Sequence, residues 1–322
     1  MKIVVLDGYT VNPGDLSWGE LEKLGELTVY ERTSQDQIVE RAQGAQILLT
    51  NKTPLHAETL SQLPELMYIG VLATGYDVID VDAASRQGVI VTNIPAYSTD
   101  SVAQYTIALM LELCHQIGRH ADSVRQGDWA ISQDWSYWNY PLLELTGKTF
   151  GVVGAGRIGL QAARIASALG MNIAALNRSG HSRHDVGIPH LKWVEMDELL
   201  QCSDVISLHC PLTASNEGFM NKDSLLSMKR SAFLINTARG KLVNEEDLAY
   251  ALNNDWIAGA ALDVLSSEPP SPDHPLLSAK HCIITPHMAW ATKEARGRLM
   301  DTTVHHLIQF LQGKPVHVVH PR

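Results

Sequence analysis

The stretch Thr149-Phe150-Gly151-Val152-Val153-Gly154-Ala155-Gly156-Arg157-Ile158-Gly159 constrains this chain more than any other. An apolar, strand-like run meets a glycine turn, and a helical pattern follows through Leu160-Gln161-Ala162-Ala163-Arg164-Ile165-Ala166. Gly154, Gly156 and Gly159 stand in the spacing G-x-G-x-x-G, and each has a physical task. Gly154 lets the strand turn sharply, Gly156 keeps a side chain from between backbone and pyrophosphate, and Gly159 lets the helix pack close to the strand. The amides of the helix start, from Arg157 and Ile158 onward, then face the phosphates. A glycine triplet alone is a weak signal, but flanked by strand and helix it predicts a dinucleotide site rather than a bland βα turn.

A chain of 322 residues with 45% apolar content accommodates two domains with a core each. It has no run of 18 apolar residues, and Met1-Lys2-Ile3-Val4-Val5-Leu6-Asp7 enters a strand-like segment without signal-peptide architecture, so a cytoplasmic location is expected. The formal charge of −10, with no block of Lys or Arg, argues against nucleic acid or an anionic membrane as partner. The four cysteines, Cys114, Cys202, Cys210 and Cys282, are far apart and read as small buried residues rather than zinc ligands or a redox pair. His181, His184 and His190 sit in a Gly/Ser/Pro-containing stretch that reads as a solvated loop, so no metal is expected.

Residues 1–98 alternate short β-branched runs (Ile3-Leu6, Leu27-Tyr30, Ile47-Thr50, Tyr68-Leu72, Val89-Thr92) with helical stretches (Leu16-Leu24, Gln35-Ala42, Ala57-Gln62, Val81-Arg86). That rhythm predicts a doubly wound parallel sheet. Its Leu72-Ala73-Thr74-Gly75-Tyr76 turn reads either as a site whose backbone amides hold an anion or simply as a loop. Ser101 to about Arg125 reads as one long connecting helix, followed by residues 127–141 with five aromatics, read as a subunit contact, a pocket wall or local packing. A second doubly wound unit then begins, with six strands expected at Phe150-Val153, Ile173-Leu176, Val205-His209, Ala232-Asn236, Gly259-Leu262 and Cys282-Thr285. Helices are expected at Met196-Leu200, Asp223-Met228 and Glu245-Asn253, and a last helix, Lys293 to Leu311, is placed to return to the first domain.

In an open parallel sheet, ligands sit at the carboxyl ends of the strands. Arg239 follows the fourth strand of this second unit, Asp263 and Glu268 the fifth, and His287 the sixth. Each has a bland reading by itself, but together they supply what hydride transfer to a carbonyl requires. An Arg fork binds a substrate carboxylate, a His protonates the carbonyl oxygen, and a carboxylate on the other ring nitrogen fixes the tautomer and stabilises the imidazolium. Arg239, His287 and Glu268 take these roles.

Val153 to Gly159, His209-Cys210-Pro211-Leu212-Thr213, Ile235-Asn236-Thr237-Ala238-Arg239-Gly240, Leu262-Asp263-Val264 through Glu268-Pro269, and Thr285-Pro286-His287 together resemble the D-isomer-specific 2-hydroxyacid dehydrogenases over essentially the whole chain. The resemblance implies a Rossmann dinucleotide-binding domain (99–287) inserted in a flavodoxin-like substrate domain (1–98 with 288–322). It implies that Arg239, Glu268 and His287 are the catalytic trio and that Asp263 helps position the nicotinamide carboxamide. Val102, Thr106, Cys210, Pro211, Thr237 and Ala238 would line the cofactor, and amides near Thr74-Gly75 would take the substrate carboxylate, with Lys52 a further candidate. Family members are usually dimers joined through the cofactor domain, which makes a homodimer the expectation here and shifts the reading of the 127–141 segment towards an interface. The pattern is most like the glycerate dehydrogenase and hydroxypyruvate reductase branch, implying hydroxypyruvate or glyoxylate as substrate. A phosphoglycerate or D-lactate type of the same family, or a dinucleotide-sensing binding protein, is the competing reading.

One departure bears on the cofactor. An NAD site usually carries an acid at the end of the second strand for the ribose hydroxyls, but here Asn177-Arg178-Ser179 follow Ile173-Leu176. Loss of the acid removes repulsion of a 2′-phosphate, and Arg178 can pair with it, so NADP(H) is favoured over NAD(H).

Overall fold

The computed structural model describes residues 1–177 and 186–320, and the chain divides into two compact units, Met1–Ser98 with Trp290–Arg322 and Thr99–Ala289. In the first unit, β1 (Lys2–Val5), β2 (Glu26–Val29), β3 (Ile47–Thr50), β4 (Tyr68–Val71) and β5 (Ile90–Thr92) pair in parallel in the order β2-β1-β3-β4-β5. This 2-1-3-4-5 order is the flavodoxin-like one. Helices α1 (Gly19–Glu22), α2 (Ile38–Ala42), α3 (Ala57–Leu60) and α4 (Val81–Arg86) make the crossovers. Strands β3 and β4 are buried at every position, as covered parallel strands must be. Alternate residues feed two cores, Val4, Leu48 and Ile69 on one face and Ile3, Ile47 and Tyr68 on the other. The helix expected over Leu16-Leu24 shortens to α1, because polar side chains compete for its backbone: Asn12 Oδ1 accepts from Gly14 and Leu16, and Ser17 Oγ from Gly19.

The second unit opens with α5 (Thr99–His115) and α6 (Ile117–Arg125), where the sequence pattern reads as one helix. Gln116 breaks it by entering the left-handed region at φ 51°, and the Glu112 carboxylate then accepts from the Gly118 amide at the start of α6. After β6 (Thr149–Val153) come α7 (Arg157–Ala168), β7 (Asn172–Leu176), β8 (Leu191–Val194), α8 (Met196–Cys202) and β9 (Val205–Leu208). Then follow α9 (Lys222–Ser227), β10 (Phe233–Asn236), α10 (Glu245–Asn253), β11 (Gly259–Leu262) and β12 (Cys282–Ile284). All pair in parallel, in the order β12-β11-β10-β9-β6-β7-β8. Numbered within the unit, this is the 3-2-1-4-5-6 dinucleotide-binding order extended by one strand. Six strands are expected from sequence, and the seventh is β8. It is a half-exposed edge strand carrying Lys192, so it lacks the apolar run that marks the central strands.

Helix α11 (Lys293–Leu311) belongs to the first unit, where Ala295, Leu299 and Leu307 join the core of Ile3 and Tyr68. Arg296 holds both carboxylate oxygens of Asp15 at 2.7 Å. Beyond the helix, Val319 donates to Val91 and His317 Nδ1 bonds His306 Nε2 at 2.9 Å. No helix among the described residues is long and apolar enough to cross a membrane.

His306 is 1% exposed, and burial, reinforced by the nearby His317 and His305, pushes it down to about 4. The folded state therefore resists a proton that the unfolded chain accepts near pH ~6.5. Its contribution is complete above that pH and is lost as pH falls through about 4. Urea midpoints should fall between pH ~7 and ~4.5 less steeply in His306→Gln than in the parent protein, and equal slopes would contradict this account.

Candidate active site

Parallel strands place their carboxyl ends on one edge, and the strand order decides what meets there. Along that edge lie, in turn, the 285–289 turn after β12, the 263–268 loop after β11, Thr237 to Arg239 after β10, His209 to Pro211 after β9, and the glycines after β6. The sheet reverses its winding between β6 and β9, the switch point where ligands enter such folds. Gly154 has φ +105°, and a Cβ on it would lie 2.5 Å from Cys210 N. A Cβ on Gly159 would lie 2.2 Å from Gly154 O. At Gly156 a Cβ would meet nothing within 4 Å, and as N-cap of α7 this residue offers no side-chain cap. Two glycines are thus needed to bring β6, β9 and α7 together, while the third faces open space before a helix N-terminus. That is the shape a pyrophosphate requires, and the cradle fits a dinucleotide.

At the far end of the cradle, Asn177 donates from its amide to Val194 O and from Nδ2 to Glu195 Oε1 at 2.9 Å. Arg178, Ser179, His181 and His184 lie outside the described residues, and His190 is exposed. Val102 and Thr106, on α5, are buried, and Thr106 Oγ1 bonds Thr237 Oγ1 at 3.0 Å. This joins α5 to the turn after β10. His209 and Cys210 stand beside Gly154, and Asn216 Nδ2 donates to the carbonyl of the next residue, Pro211.

The turn carrying Arg239 is held from below by Asn236, which is fully buried. Its Oδ1 accepts from the Ala238 amide at 3.0 Å and its Nδ2 donates to the Arg239 carbonyl at 2.8 Å. Arg239 itself is half-buried, with Nη1 donating to the Ala238 carbonyl. His287 Nδ1 and Glu268 Oε2 are 2.6 Å apart. A carboxylate only accepts, so the proton of that bond sits on Nδ1, and Nε2 is the ring atom available for proton exchange. The other Glu268 oxygen accepts from the Leu265 amide at 3.0 Å.

Asp263 is the least exposed carboxylate of this edge, at 1%, and it anchors the turn that carries His287. Its oxygens accept from Thr285 Oγ1 (2.7 Å), Met288 N (2.9 Å) and Ala289 N (2.8 Å). Burial pushes its carboxyl pKa up, and those donors pull against the shift. The anchored turn holds His287 at φ 53°, a left-handed conformation costly for a side chain with Cβ and typical of functional positions. This strain has no signature in the sequence, and neither does the bracing by Asn236.

In the first unit, Lys52 and Thr74 are exposed and Gly75 is half-buried. The Asp7 carboxylate accepts the amides of Asn51, Lys52 and Thr53 at 2.8, 2.5 and 2.8 Å, an anchor that sequence reading does not single out. Thr74 Oγ1 donates to the Ile94 carbonyl at 2.9 Å. Of the four cysteines, Cys114 is buried while Cys202, Cys210 and Cys282 are only partly so, against the expectation of four buried thiols. Burial pushes Cys114 and Cys282 up to about 11 and about 12, so neither is a thiolate near neutrality. Among the described residues no group of three or more His, Cys, Asp or Glu side chains is arranged to hold a metal ion.

Fold and edge together define a nicotinamide-dependent oxidoreductase. Residues 107–289 match the family model described as D-isomer specific 2-hydroxyacid dehydrogenase, NAD binding domain. The chain is 50% identical to a hydroxypyruvate reductase of Blautia hydrogenotrophica over 322 residues, covering 99% of each. It is 42% identical to a glycerate dehydrogenase of Methylorubrum extorquens, covering 99% of this chain and 98% of the relative. The crystal structure of a D-lactate dehydrogenase from Aquifex aeolicus, complexed with NAD and lactic acid, superposes with a TM-score of 0.84 at 31% identity over 98% of this chain and 96% of that one. The chain belongs to the D-isomer-specific 2-hydroxyacid dehydrogenase family.

The glycine geometry separates folding from binding. Gly156→Ala should leave the thermal midpoint within ~2 °C and weaken dinucleotide binding at least ~10-fold by calorimetry, since the new methyl meets ligand but no protein. Gly154→Ala should lose both binding and at least ~2 kcal/mol of stability, since its methyl strikes the His209–Cys210 backbone just after β9. Matching losses in the two variants would refute the distinction.

Proposed function

We propose that this protein reduces a small 2-ketoacid, hydroxypyruvate or glyoxylate, to the D-2-hydroxyacid. The observation that carries the reading is the 2.6 Å bond between His287 and Glu268 on the same sheet edge as the glycine cradle. The bound nicotinamide dinucleotide supplies the hydride. His287 delivers a proton from Nε2 to the carbonyl oxygen, while Glu268 on Nδ1 keeps the ring oriented and balances the imidazolium charge. Arg239 presents a planar fork to the substrate carboxylate, and its braced turn fixes the direction of approach. Lys52, Thr74 and Gly75 are the proposed substrate contacts of the first unit. Asp263 keeps His287 in register, and Val102, Thr106, Thr237, Ala238, Cys210 and Pro211 form the proposed walls of the cofactor site. The names of the two relatives above support hydroxypyruvate over lactate or phosphoglycerate as substrate.

For the cofactor we infer a preference for NADP(H), because Asn177 stands where an NAD site usually carries its acid. Glu195 brings one carboxylate to that corner through Asn177, so the preference is one of degree. For quaternary structure we infer a homodimer. Trp129, Ile131, Trp135 and Trp138 are 53%, 83%, 88% and 67% exposed, an apolar surface that a second copy of the chain would cover. Light scattering that returns one chain mass would refute it.

His287→Ala should lower kcat for hydroxypyruvate by roughly 10²–10⁴ while leaving dinucleotide affinity within ~2-fold. Near-parental kcat in this variant would sink the mechanism. Comparison of kcat/KM should favour NADPH over NADH, and a strong NADH preference overturns the cofactor inference.

A further inference from the structure

We infer that Glu245 is a positioning residue for the Glu268–His287 pair, through a strap that fastens the loop after β11. The inference rests on the proton-donor reading of that pair. Glu245, the first residue of α10, accepts from the Ser266 amide at 2.7 Å and from Ser266 Oγ. Two residues on, Glu268 accepts from the Leu265 amide and meets His287. Leu265 and Ser266 also press on the Arg239 turn, since a Cβ on Gly240 would fall 1.9 Å from Leu265 C and 2.3 Å from Ser266 N. The segment held by Glu245 therefore touches the turn of Arg239 and carries Glu268.

Glu245 is itself held. His274 Nδ1 accepts from the Leu276 amide, so the proton is on Nε2, which donates to Glu245 Oε2 at 3.1 Å. Both side chains are 11% exposed. On the other side of the strap lies a cleft of about 590 Å³ lined by Lys241, Glu245, Ser266, Asp273 and His274, among others. Leu265 is packed into the core, and on the cleft side, where packing is open, the hydrogen bonds of Glu245 hold Ser266. Displacement by a fraction of an ångström is enough to misalign a proton donor.

The test is a double-mutant cycle on the full-length enzyme. Glu245→Ala should lower kcat for ketoacid reduction roughly 10-fold or more while KM for the dinucleotide stays within ~2-fold. Glu245→Gln, which keeps one acceptor for the Ser266 amide, should recover part of the loss. In a Glu268→Ala background, where the aligned group is already gone, Glu245→Ala should change kcat by less than ~2-fold. A purely structural role for Glu245 predicts the same loss in both backgrounds, and that result overturns the inference. Unchanged kcat in Glu245→Ala, with Glu268→Ala impaired, overturns it as well and leaves the proton-donor reading intact. Unimpaired Glu268→Ala instead removes that reading and the inference with it. If Glu245→Ala does not fold, Ser266→Ala carries the same cycle with an expected loss of a few-fold, present only when Glu268 is intact.

Discussion

Parallel strand pairing is the constraint on which this structure depends. Every crossover returns the chain to the same starting edge, so every strand delivers its next residue to the opposite one. In the second unit this collects Gly154, Pro211, Arg239, Glu268 and His287 from positions up to 133 apart in the chain onto one line. The covered strands themselves are almost wholly apolar, and chemistry begins only where they end. The first unit obeys the same rule, with Asp7, Asn51 and Thr74 following β1, β3 and β4.

Position alone does not make a reactive group, and most of the polar network on this edge holds other groups still. Asp263 spends its carboxylate on Thr285 and two amides, Asn236 its carboxamide on the ends of the Arg239 turn, and in the first unit Asp7 its carboxylate on three consecutive amides. Each is a buried or partly buried polar group satisfied by partners from a turn, which converts a loop into a rigid bracket. The stored cost is visible at His287, which the bracket keeps in the left-handed region.

The glycine fingerprint, the alternation of strand and helix, and the residues following each strand are local patterns, and they were legible. They indicated both parallel sheets, the Arg239, Glu268 and His287 positions and the closing helix Lys293–Leu311. What escaped were features whose sequence signal is cancelled by tertiary context. The edge strand β8 lacks an unbroken apolar run, because only part of it is covered and Lys192 interrupts it. The α5–α6 junction reads as continuous because Gln116 is an acceptable helix residue, and the break is supported by contacts that form only in the fold, the Glu112 carboxylate at Gly118 and the Leu143 amide on the Cys114 carbonyl.

The sequence by itself determined the class of fold, because periodicity and glycine spacing follow from backbone geometry that every such sheet shares, and the resemblance of its motifs indicated the family. It also named Arg239, Glu268 and His287 as the groups proposed for hydride transfer to a carbonyl. Only the tertiary structure decided which nitrogen of His287 meets Glu268, that Asp263 braces a turn, and that Glu245 and His274 reach the Ser266 loop. Those are angstrom-scale matters of which donor finds which acceptor, and they exist only once strands distant in the chain lie side by side.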